Sequence, residues 1–513
     1  GTATPEYSAD GTTRIGDRYT ITISGSGLPK DANQIKIQIQ PGAITDNSKN
    51  TNKVTDLLLF NALRKTDTET EATSPFLGNT NIQRQNVDNI TFIDNIPSTV
   101  YDKSAKAYVD NTAWDVSAQQ DKSILAWYTT NDNETIKVYI GSDDEIFGNY
   151  DSSYLFAYIG YSDNCTSVET ITNINYLNVG SVTNMSHMFE QTGYNAMTTL
   201  NLGDSFDTSE ATDMNHMFAA AGHNKMTTLN LGSKFNTIKV KDMNNMFNET
   251  GYLEMTSLSL GDGFNTSEVE KMQYMFAATG YNNMTTLNLG TKFNTSKVTN
   301  MSYMFQNTGY KALNNLNLGD GFNTSKVTDM QYMFSATGHN TMTSLSLESE
   351  FDTSAVEDMK GMFSGRNNDD NDPDSALQTL NLGTKFNTSK VKDMSNMFEE
   401  IKSLTTLDLG DNFYTTAATD MTKMFSGTGE KAMTTLDLGP AFTRIAETRT
   451  DMLFETGKQD AITIQASEQI YLDKNNFKLN TDATSSAINY TRGTINPKYR
   501  TEWVKEASAI STA

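Results

Sequence analysis

The sequence contains very little cysteine and proline. Cys165 is the single cysteine among 513 residues, so no internal disulfide can stabilise the fold, and a buried structural thiol is expected. Only 33 glycines and 8 prolines are present, which excludes a collagen-like chain. No apolar run reaches roughly 18 residues, so no membrane-spanning helix is predicted. The chain is expected to fold without inserting into a membrane.

Positive charge is also in deficit, with 39 Lys and Arg against 62 Asp and Glu and a net charge of −23. Such a surface repels nucleic-acid phosphate and anionic lipid, so no nucleic-acid partner is expected. The four histidines, His187, His216, His223 and His339, occupy variable positions of a repeat, and no phosphate-binding glycine loop is present. No singular catalytic constellation is visible, so the sequence predicts no enzyme and no catalytic residue.

A repeated Met-Phe pair organises most of the chain. Its phenylalanines recur with gaps of 29 residues six times, then 35, 27 and 29. They are Phe189, Phe218, Phe247, Phe276, Phe305, Phe334, Phe363, Phe398, Phe425 and the variant Phe454. A regular period of this length is typical of repeat architectures, in which each copy buries its apolar stripe only by stacking on the next. The refrain itself is therefore expected to be core.

Each unit begins with Met-x-x-Leu-x-Leu-Gly, whose alternation predicts a short strand, and continues through a polar corner to Met-x-x-Met-Phe, whose spacing predicts a short helical turn. An Asp column is expected to cap these helical turns: Asp213, Asp242, Asp329, Asp358, Asp393, Asp420 and Asp451. About ten units would stack into a solenoid with a parallel β-sheet and short helical turns.

The stretches "MTTLNLGTKFNTSKVTNMSYMF" (284–305), "TSKVTDMQYMF" (324–334) and "TSKVKDMSNMF" (388–398) resemble the BspA-like leucine-rich-repeat surface proteins of bacteria. The preceding segments "WDVSAQQDKSILAWY" (114–128) and "VYIGSDDEIFGNYDSSYLF" (138–156) are similar to the entry module of that family. The resemblance implies a leucine-rich-repeat solenoid and a secreted, wall-anchored adhesin without enzymatic activity. It also implies binding to host glycoproteins, extracellular matrix or mucin.

Four segments are expected from these patterns. Residues 1–112, with alternating stretches such as "RYTITISG" and "NQIKIQIQ", form a β-rich N-terminal domain. Residues 113–168 cap the array, 169–465 form the solenoid, and 466–513 form a C-terminal cap or linker. The insertion "GRNNDDNDPDSALQ" (365–378) is expected to bulge as a loop.

Two aromatic columns are candidate ligand-binding sites. The first ring column follows the Thr-Gly pair of each copy, which is Ala-Gly before His223: Tyr194, His223, Tyr252, Tyr281, Tyr310 and His339. The second ring column precedes Met-Phe: Tyr274, Tyr303 and Tyr332. Aromatic rings in a row suit sugar faces or an extended peptide. The alternatives are that the first column packs on itself over the core and that the second is an unselected solvated position.

The outward residues of the predicted sheet, here called the strand face, form a neutral surface of hydroxyls and amides. Those taken as ligand-binding candidates are Thr199, Asn201, Thr228, Asn230, Thr286 and Asn288. They are able to bond carbohydrate or peptide, or serve only as solubilising residues. The carboxylates Asp369, Asp370, Asp372 and Asp374 on the insertion are the candidates for calcium, the only cofactor considered, although they lack EF-hand spacing.

The sequence therefore predicts a bacterial cell-surface adhesin that binds host or mucosal glycans, mucin or matrix glycoproteins through its repeats. Mucins are anionic, so a chain of net charge −23 should bind better near its pI of about 4.6. The alternative is a solenoid stalk that presents the N-terminal domain, which then does the recognising. No direct membrane insertion is expected in either case.

Overall fold

The structure is a computed structural model. It describes residues 61–66, 70–319, 321–347, 350–366, 373–458 and 462–467, and also the strand backbone of 2–7, 14–20, 37–39, 55–57, 489–496 and 500–506. The chain divides into two compact units, Gly1–Phe60 and Asn61–Ala513. The first unit contains two antiparallel pairs. Its strands are β1 (Thr2–Tyr7), β2 (Arg14–Thr20), β3 (Ile37–Ile39) and β4 (Thr55–Leu57).

The second unit begins with short strands that precede the repeats. They are β5 (Pro75–Phe76), β6 (Asn79–Gln83), β7 (Val87–Ile93), β8 (Tyr101–Asp102), β9 (Ala107–Tyr108), β10 (Trp114–Asp115), β11 (Leu125–Thr130), β12 (Ile136–Gly141), β13 (Ile146–Phe147), β14 (Ile171–Thr172) and β15 (Leu177–Asn178). Two 3₁₀ turns cover Arg84–Asn86 and Ile174–Tyr176.

A mixed five-stranded sheet, in the order β10-β11-β12-β7-β14, forms the entry to the array. Strand β7 lies inside this sheet and pairs in parallel with β12. The sequence places a domain boundary at residue 112, whereas the compact units meet between Phe60 and Asn61. The difference arises because β7 is hydrogen-bonded to strands that follow residue 112, and such long-range pairing is not visible in local alternation.

The repeats contribute three-residue strands in parallel pairs. These strands are β16 (Thr199–Asn201), β17 (Thr228–Asn230), β18 (Ser257–Ser259), β19 (Thr286–Asn288), β20 (Ser344–Ser346), β21 (Thr379–Asn381), β22 (Thr406–Asp408) and β23 (Thr435–Asp437). Equivalent residues pair across copies, as in Leu200 with Leu229 and Leu258 with Leu287. The strand-rich chain with its parallel pairs in constant register is compatible with a repeat solenoid.

The Met-x-x-Met-Phe segments form turns, and the described residues contain no α-helix, so the predicted helical turns are wrong. In the copy at 185–192, alternate N–H groups donate to the next copy at 2.7 to 3.0 Å: Met185 to Asp213, His187 to Asn215, Phe189 to Met217 and Gln191 to Ala219. The intervening N–H groups close turns onto carbonyls three residues back at 3.1 to 3.2 Å: Met188 to Met185, Glu190 to His187 and Thr192 to Phe189. We call this arrangement the turn ladder.

The turn ladder requires a left-handed residue every fourth position. His187 has φ 57° and Gln191 has φ 53°, and the equivalent positions of later copies share this conformation. The αL residues prevent a continuous helix and orient alternate peptide groups along the direction of stacking. The next copy can then hydrogen-bond to these peptide groups. Helical spacing of apolar residues is preserved, which explains why the sequence pattern favours a helix.

The Met-Phe refrain is core, as predicted. Met217, Phe218, Met246 and Phe247 each expose none of their side-chain surface. The rings stack from copy to copy with centroids 5.5 Å apart between Phe218 and Phe247. One continuous core extends from Leu63 to Ile464 through all of the repeats.

Both ends of the array are covered. At the C-terminal end, β23 is followed by β24 (Thr463–Ser467), β26 (Arg500–Glu506) and β25 (Asn489–Asn496) in the same sheet. At the entry, Arg84 is fully buried and its Nη1 donates to the carbonyls of Tyr154, Leu155 and Ala157.

Candidate functional site

The first ring column is a continuous stack. Its rings lie face to face with centroids 4.5 to 4.7 Å apart and interplanar angles of 4 to 10°. Each of these residues follows a glycine, which is preceded by Thr except at Ala221-Gly222 before His223, and Gly251 and Gly280 have φ 54° and 53°. An added Cβ at Gly280 would lie 2.4 Å from the Cβ of Met284. The glycine therefore lets the chain turn tightly over the methionine of the next strand and places every ring above the preceding one.

Stacking leaves the faces of these rings in contact with one another. Tyr194, His223, Tyr252 and Tyr281 are half-buried, whereas Tyr310 and His339 are each only 2% exposed. The return of the insertion covers that end, because His339 contacts the carbonyl oxygen of Pro373 through Nε2 at 2.9 Å. Burial raises the pKa of Tyr194 and Tyr252. The column thus presents ring edges and hydroxyls in place of the flat faces that sugar stacking needs.

The second ring column also stacks. Tyr274 and Tyr303 have ring centroids 4.4 Å apart, and Tyr303 and Tyr332 have centroids 5.2 Å apart. All three residues are in the left-handed conformation, with φ between 52° and 61°. Gly361 occupies the next position, where a Cβ would lie 2.3 Å from the Tyr332 ring. Burial and the neighbouring tyrosines raise the pKa of Tyr303 to about 12.

The strand face is open. In every strand from β16 to β22 the outer two residues are exposed and the leucine between them is buried. The six strand-face candidates, Thr199, Asn201, Thr228, Asn230, Thr286 and Asn288, are therefore brought together on one accessible surface. Asn315 and Asn317 lie in a copy without an assigned strand and are exposed as well.

Two histidines stack at the same repeat position as the second ring column, in earlier copies. His187 and His216 have ring centroids 4.5 Å apart, and Tyr154 stacks on the other face of His187 at 4.3 Å. His187 Nδ1 lies 2.8 Å from Glu190 Oε2. Burial, followed by the charge of His187, lowers the pKa of His216. These rings occupy αL positions of the turn ladder, which gives them a structural role.

The acidic column does not cap helices. Asp213 Oδ1 accepts a hydrogen bond from the backbone N–H of Asn215 at 3.0 Å, and Asp242 accepts one from Asn244 at 3.0 Å. These are turns closed by the aspartate itself, at the start of each turn ladder. Asp451 does not belong to this column, because Thr448 takes the equivalent bridging position and Asp451 is left-handed with φ 55°.

The calcium candidates have little support as a group. Asp374 forms ion pairs with Lys431 and with Lys402, the latter at 3.4 Å. Asp369, Asp370 and Asp372 lie outside the described residues. Within the described part of the chain, no group of three or more His, Cys, Asp or Glu residues could hold a metal ion.

Two columns of buried threonine escaped the sequence reasoning. Thr250 and Thr279 donate from Oγ1 to the carbonyls of Phe218 and Phe247 at 2.7 and 2.6 Å. Thr237 donates to the carbonyl of Asn265 in the next copy at 2.8 Å. The recurrence of threonine in each Thr-Gly and Asn-Thr-Ser motif was the available signal, and a buried hydroxyl needs such a partner.

Four overlapping segments match the model of one protein family, described as "Mycoplasma protein of unknown function, DUF285". The segments are 160–288, 222–344, 256–375 and 310–437, and together they span more than half of the chain. No curated protein and no solved structure matches the chain. Among the described residues, no helix has the length and apolarity needed to cross a membrane.

Proposed function

The chain belongs to that family, and we propose that it is a bacterial cell-surface adhesin whose strand face binds glycans of host or mucosal glycoproteins. The single observation that carries this proposal is the exposed, buried, exposed pattern of the strands, which presents uncharged hydroxyls and amides at the same place in copy after copy. Uncharged hydrogen-bonding groups repeated along a line suit a linear polymer with repeated hydroxyls.

The strand face is favoured over the ring columns because of how the rings are used. A sugar that stacks on tyrosine needs a free ring face, but in the first ring column neighbouring rings occupy both faces. Among the described residues, no side chain covers the exposed residues of the strand face in a comparable way. Ring edges at Tyr252 and Tyr281 then contribute to packing and not to the main contact.

We further propose that the array is a leucine-rich-repeat solenoid of the BspA-like class. The buried leucines of Leu-x-Leu and the in-register parallel pairing favour this assignment. On this basis the protein acts outside the cell, anchored to the wall in its full-length form, and has no enzymatic activity. Contacts to one glycan chain would be individually weak and would add up over copies.

Polymer spacing favours a glycan over a peptide. Parallel strands are about 4.8 Å apart, whereas an extended peptide advances about 3.3 Å per residue, so its same-face side chains recur about every 6.6 Å. The side-chain repeat of a peptide that runs along the array therefore does not match the spacing of the strands. One sugar unit of an extended glycan is longer than one amino-acid residue and closer to the strand spacing.

A direct test removes hydroxyls from the strand face without changing shape. Thr228→Val and Thr286→Val keep a β-branched residue in each strand. Each lost hydrogen bond is worth about 1 kcal/mol, so the double variant should bind immobilised mucin roughly tenfold or more weakly. The matched control is Tyr252→Phe with Tyr281→Phe, which should bind like the unsubstituted protein. If the Tyr→Phe variant loses binding and the Thr→Val variant keeps it, the binding site is the first ring column instead.

The negative charge of the chain adds a pH dependence to the same assay. At a net charge of −23 the protein is repelled by anionic mucin, and protonation of carboxylates towards the pI of about 4.6 reduces that repulsion. Binding should therefore strengthen as the pH falls from neutral. An affinity that is flat or that falls over this range would contradict the electrostatic part of the proposal.

A second candidate function follows from the division of the chain after Phe60. A separate compact unit could do the recognising while the array acts as a stalk. Deleting residues 1–60 distinguishes the two functions: an adhesive array keeps its mucin binding, and a stalk loses it.

A further inference from the structure

The amide groups of the strand face have a fixed orientation. The backbone N–H of Gly203 donates to Asn201 Oδ1 at 3.1 Å, and Gly232 and Gly290 do the same to Asn230 and Asn288 at 3.1 and 3.0 Å. An N–H group can donate only to the oxygen of an amide. These three bonds therefore identify the oxygen atom of each asparagine amide. They also hold that oxygen beside the glycine that follows the strand.

The Nδ2 groups of these asparagines form bonds along the array. Asn230 Nδ2 donates to Asn201 Oδ1 at 3.0 Å, and Asn288 Nδ2 donates to Ser259 Oγ at 3.4 Å. Each amide has two N–H groups, and the second N–H of Asn230 and Asn288 has no protein partner among the described residues. Since Ser259 Oγ already accepts a bond, its own O–H is available to donate. Among the described residues, Asn201 Oδ1 accepts two bonds and Asn230 Oδ1 and Asn288 Oδ1 accept one each, so Asn230 and Asn288 each offer one N–H to a ligand and their oxygens each keep one lone pair.

We propose that the amide N–H groups of the strand face from β16 to β21 select linear glycans of N-acetylhexosamine. The acetamido carbonyl of each such sugar accepts from the outward N–H of an asparagine. This inference rests on the proposed function and names the sugar class. A sugar hydroxyl is a weaker match because its oxygen is a weaker acceptor than an acetamido carbonyl, and a carboxylate-bearing glycan is disfavoured by the charge of −23.

The amide positions of the strand face end after β21. In β22 and β23 the same position holds Asp408 and Asp437, and these keep the internal bond, with Gly410 and Gly439 donating at 2.8 and 2.9 Å. An aspartate offers only acceptors and a negative charge. The last two strands are therefore excluded from the site, and they show that Asn→Asp at this position is compatible with the fold.

This precedent supplies the test variant. Asn230→Asp with Asn288→Asp replaces two outward donors by acceptors in the full chain, and Asn230→Ser with Asn288→Ser uses the residue found at Ser259 and Ser346. The charge control, Asn248→Asp with Gln306→Glu, adds the same two charges on the turn segments. Thermal unfolding checks that all of the variants fold.

The probes are a chitin hexasaccharide and a cellulose hexasaccharide, two uncharged oligomers with the same linkage that differ in acetamido against hydroxyl. Calorimetry on the unsubstituted protein should give at least about tenfold tighter binding of the N-acetylated oligomer, as expected when donors lose their matched acceptors. The Asn→Asp variant should lose that preference, the Asn→Ser variant should retain part of it, and the charge control should retain it fully.

Four results would overturn the inference. Equal binding of the two oligomers, or an Asn→Asp variant that keeps the preference, would remove the donor selectivity but leave a glycan-binding strand face in place. Mucin binding that depends on Thr228 and Thr286 without binding of either oligomer would remove the N-acetylhexosamine class alone. Absence of binding to both oligomers and to mucin would overturn the proposed function as well.

Discussion

Replacing Arg84 should destabilise the entry of the array. Alternate carbonyls of each turn ladder accept N–H groups from the copy before, but the first ladder, at residues 152–159, has no such copy before it among the described residues. The guanidinium takes this place: Nη1 lies 3.3 Å from the carbonyl of Leu155 and 3.0 Å from that of Ala157. These carbonyls correspond to the ones in later copies that accept the bonds between repeats.

The size of the effect follows from those two acceptors. Leaving a buried carbonyl unsatisfied costs about 1 to 3 kcal/mol, so Arg84→Met should cost about 2 to 6 kcal/mol locally. Relief from burying the guanidinium charge offsets part of this cost, so we expect about 3 kcal/mol. That corresponds to roughly a hundredfold loss of hydrogen-exchange protection in the first ladders, since 1.4 kcal/mol is a factor of ten.

Hydrogen exchange with mass spectrometry on the full chain measures this region by region. Amides of 185–221 should exchange faster in the variant, while those near 421–439 serve as an internal reference because repeats interact only with their neighbours. Lys239→Met, which removes an exposed partner of Glu210, should change neither region measurably. Unchanged protection of 185–221 in Arg84→Met would refute the capping role.

Two further predictions concern backbone conformation and pH. Gly280→Ala should lower stability by about 2 kcal/mol or more, because φ is 53° and the new Cβ would meet Met284, whereas Ala278→Gly, at φ 52°, should lower it little or raise it. Equal shifts of the thermal midpoint in the two variants would contradict this. The pKa of His216 lies below the ordinary histidine value of 6.5, so the folded state takes up this proton less readily than the unfolded state. Stability should therefore fall as the pH drops through 6.5, until the pH passes the folded-state pKa. His216→Gln should flatten this fall, and an NMR titration in which His216 titrates above 6.5 would refute its sign.

The repeat and its core were predictable because their signals are local and recur. Alternation around Leu200 and Leu202 predicts a strand with one buried face, and repetition every 29 residues predicts stacking. The register of the parallel pairs follows, since any slip would expose the leucines. The strand-face candidates emerged from the same alternation.

Other features could not be inferred locally. The αL residues of the turn ladder have no fixed identity: His187, Asn245 and Tyr274 all occupy one such position, so no glycine signal marks it. The spacing of apolar residues then favours a helix, and only the bonds between copies select turns instead. Arg84 is equally hidden, because its carbonyl partners lie about 70 residues away.

The turn ladder also determines how the array would respond to a pulling force. Its backbone bonds join each copy to the next in series, so tension between the two ends loads every interface equally and the weakest interface opens first. Releasing one copy of 29 residues frees ~100 Å of extended chain at ~3.4 Å per residue, against a stacked step of ~4.8 Å. Each copy that opens would lengthen its part of the chain about twentyfold and lower the tension on the rest. The array would therefore act as an extensible tether that lengthens in steps of one copy.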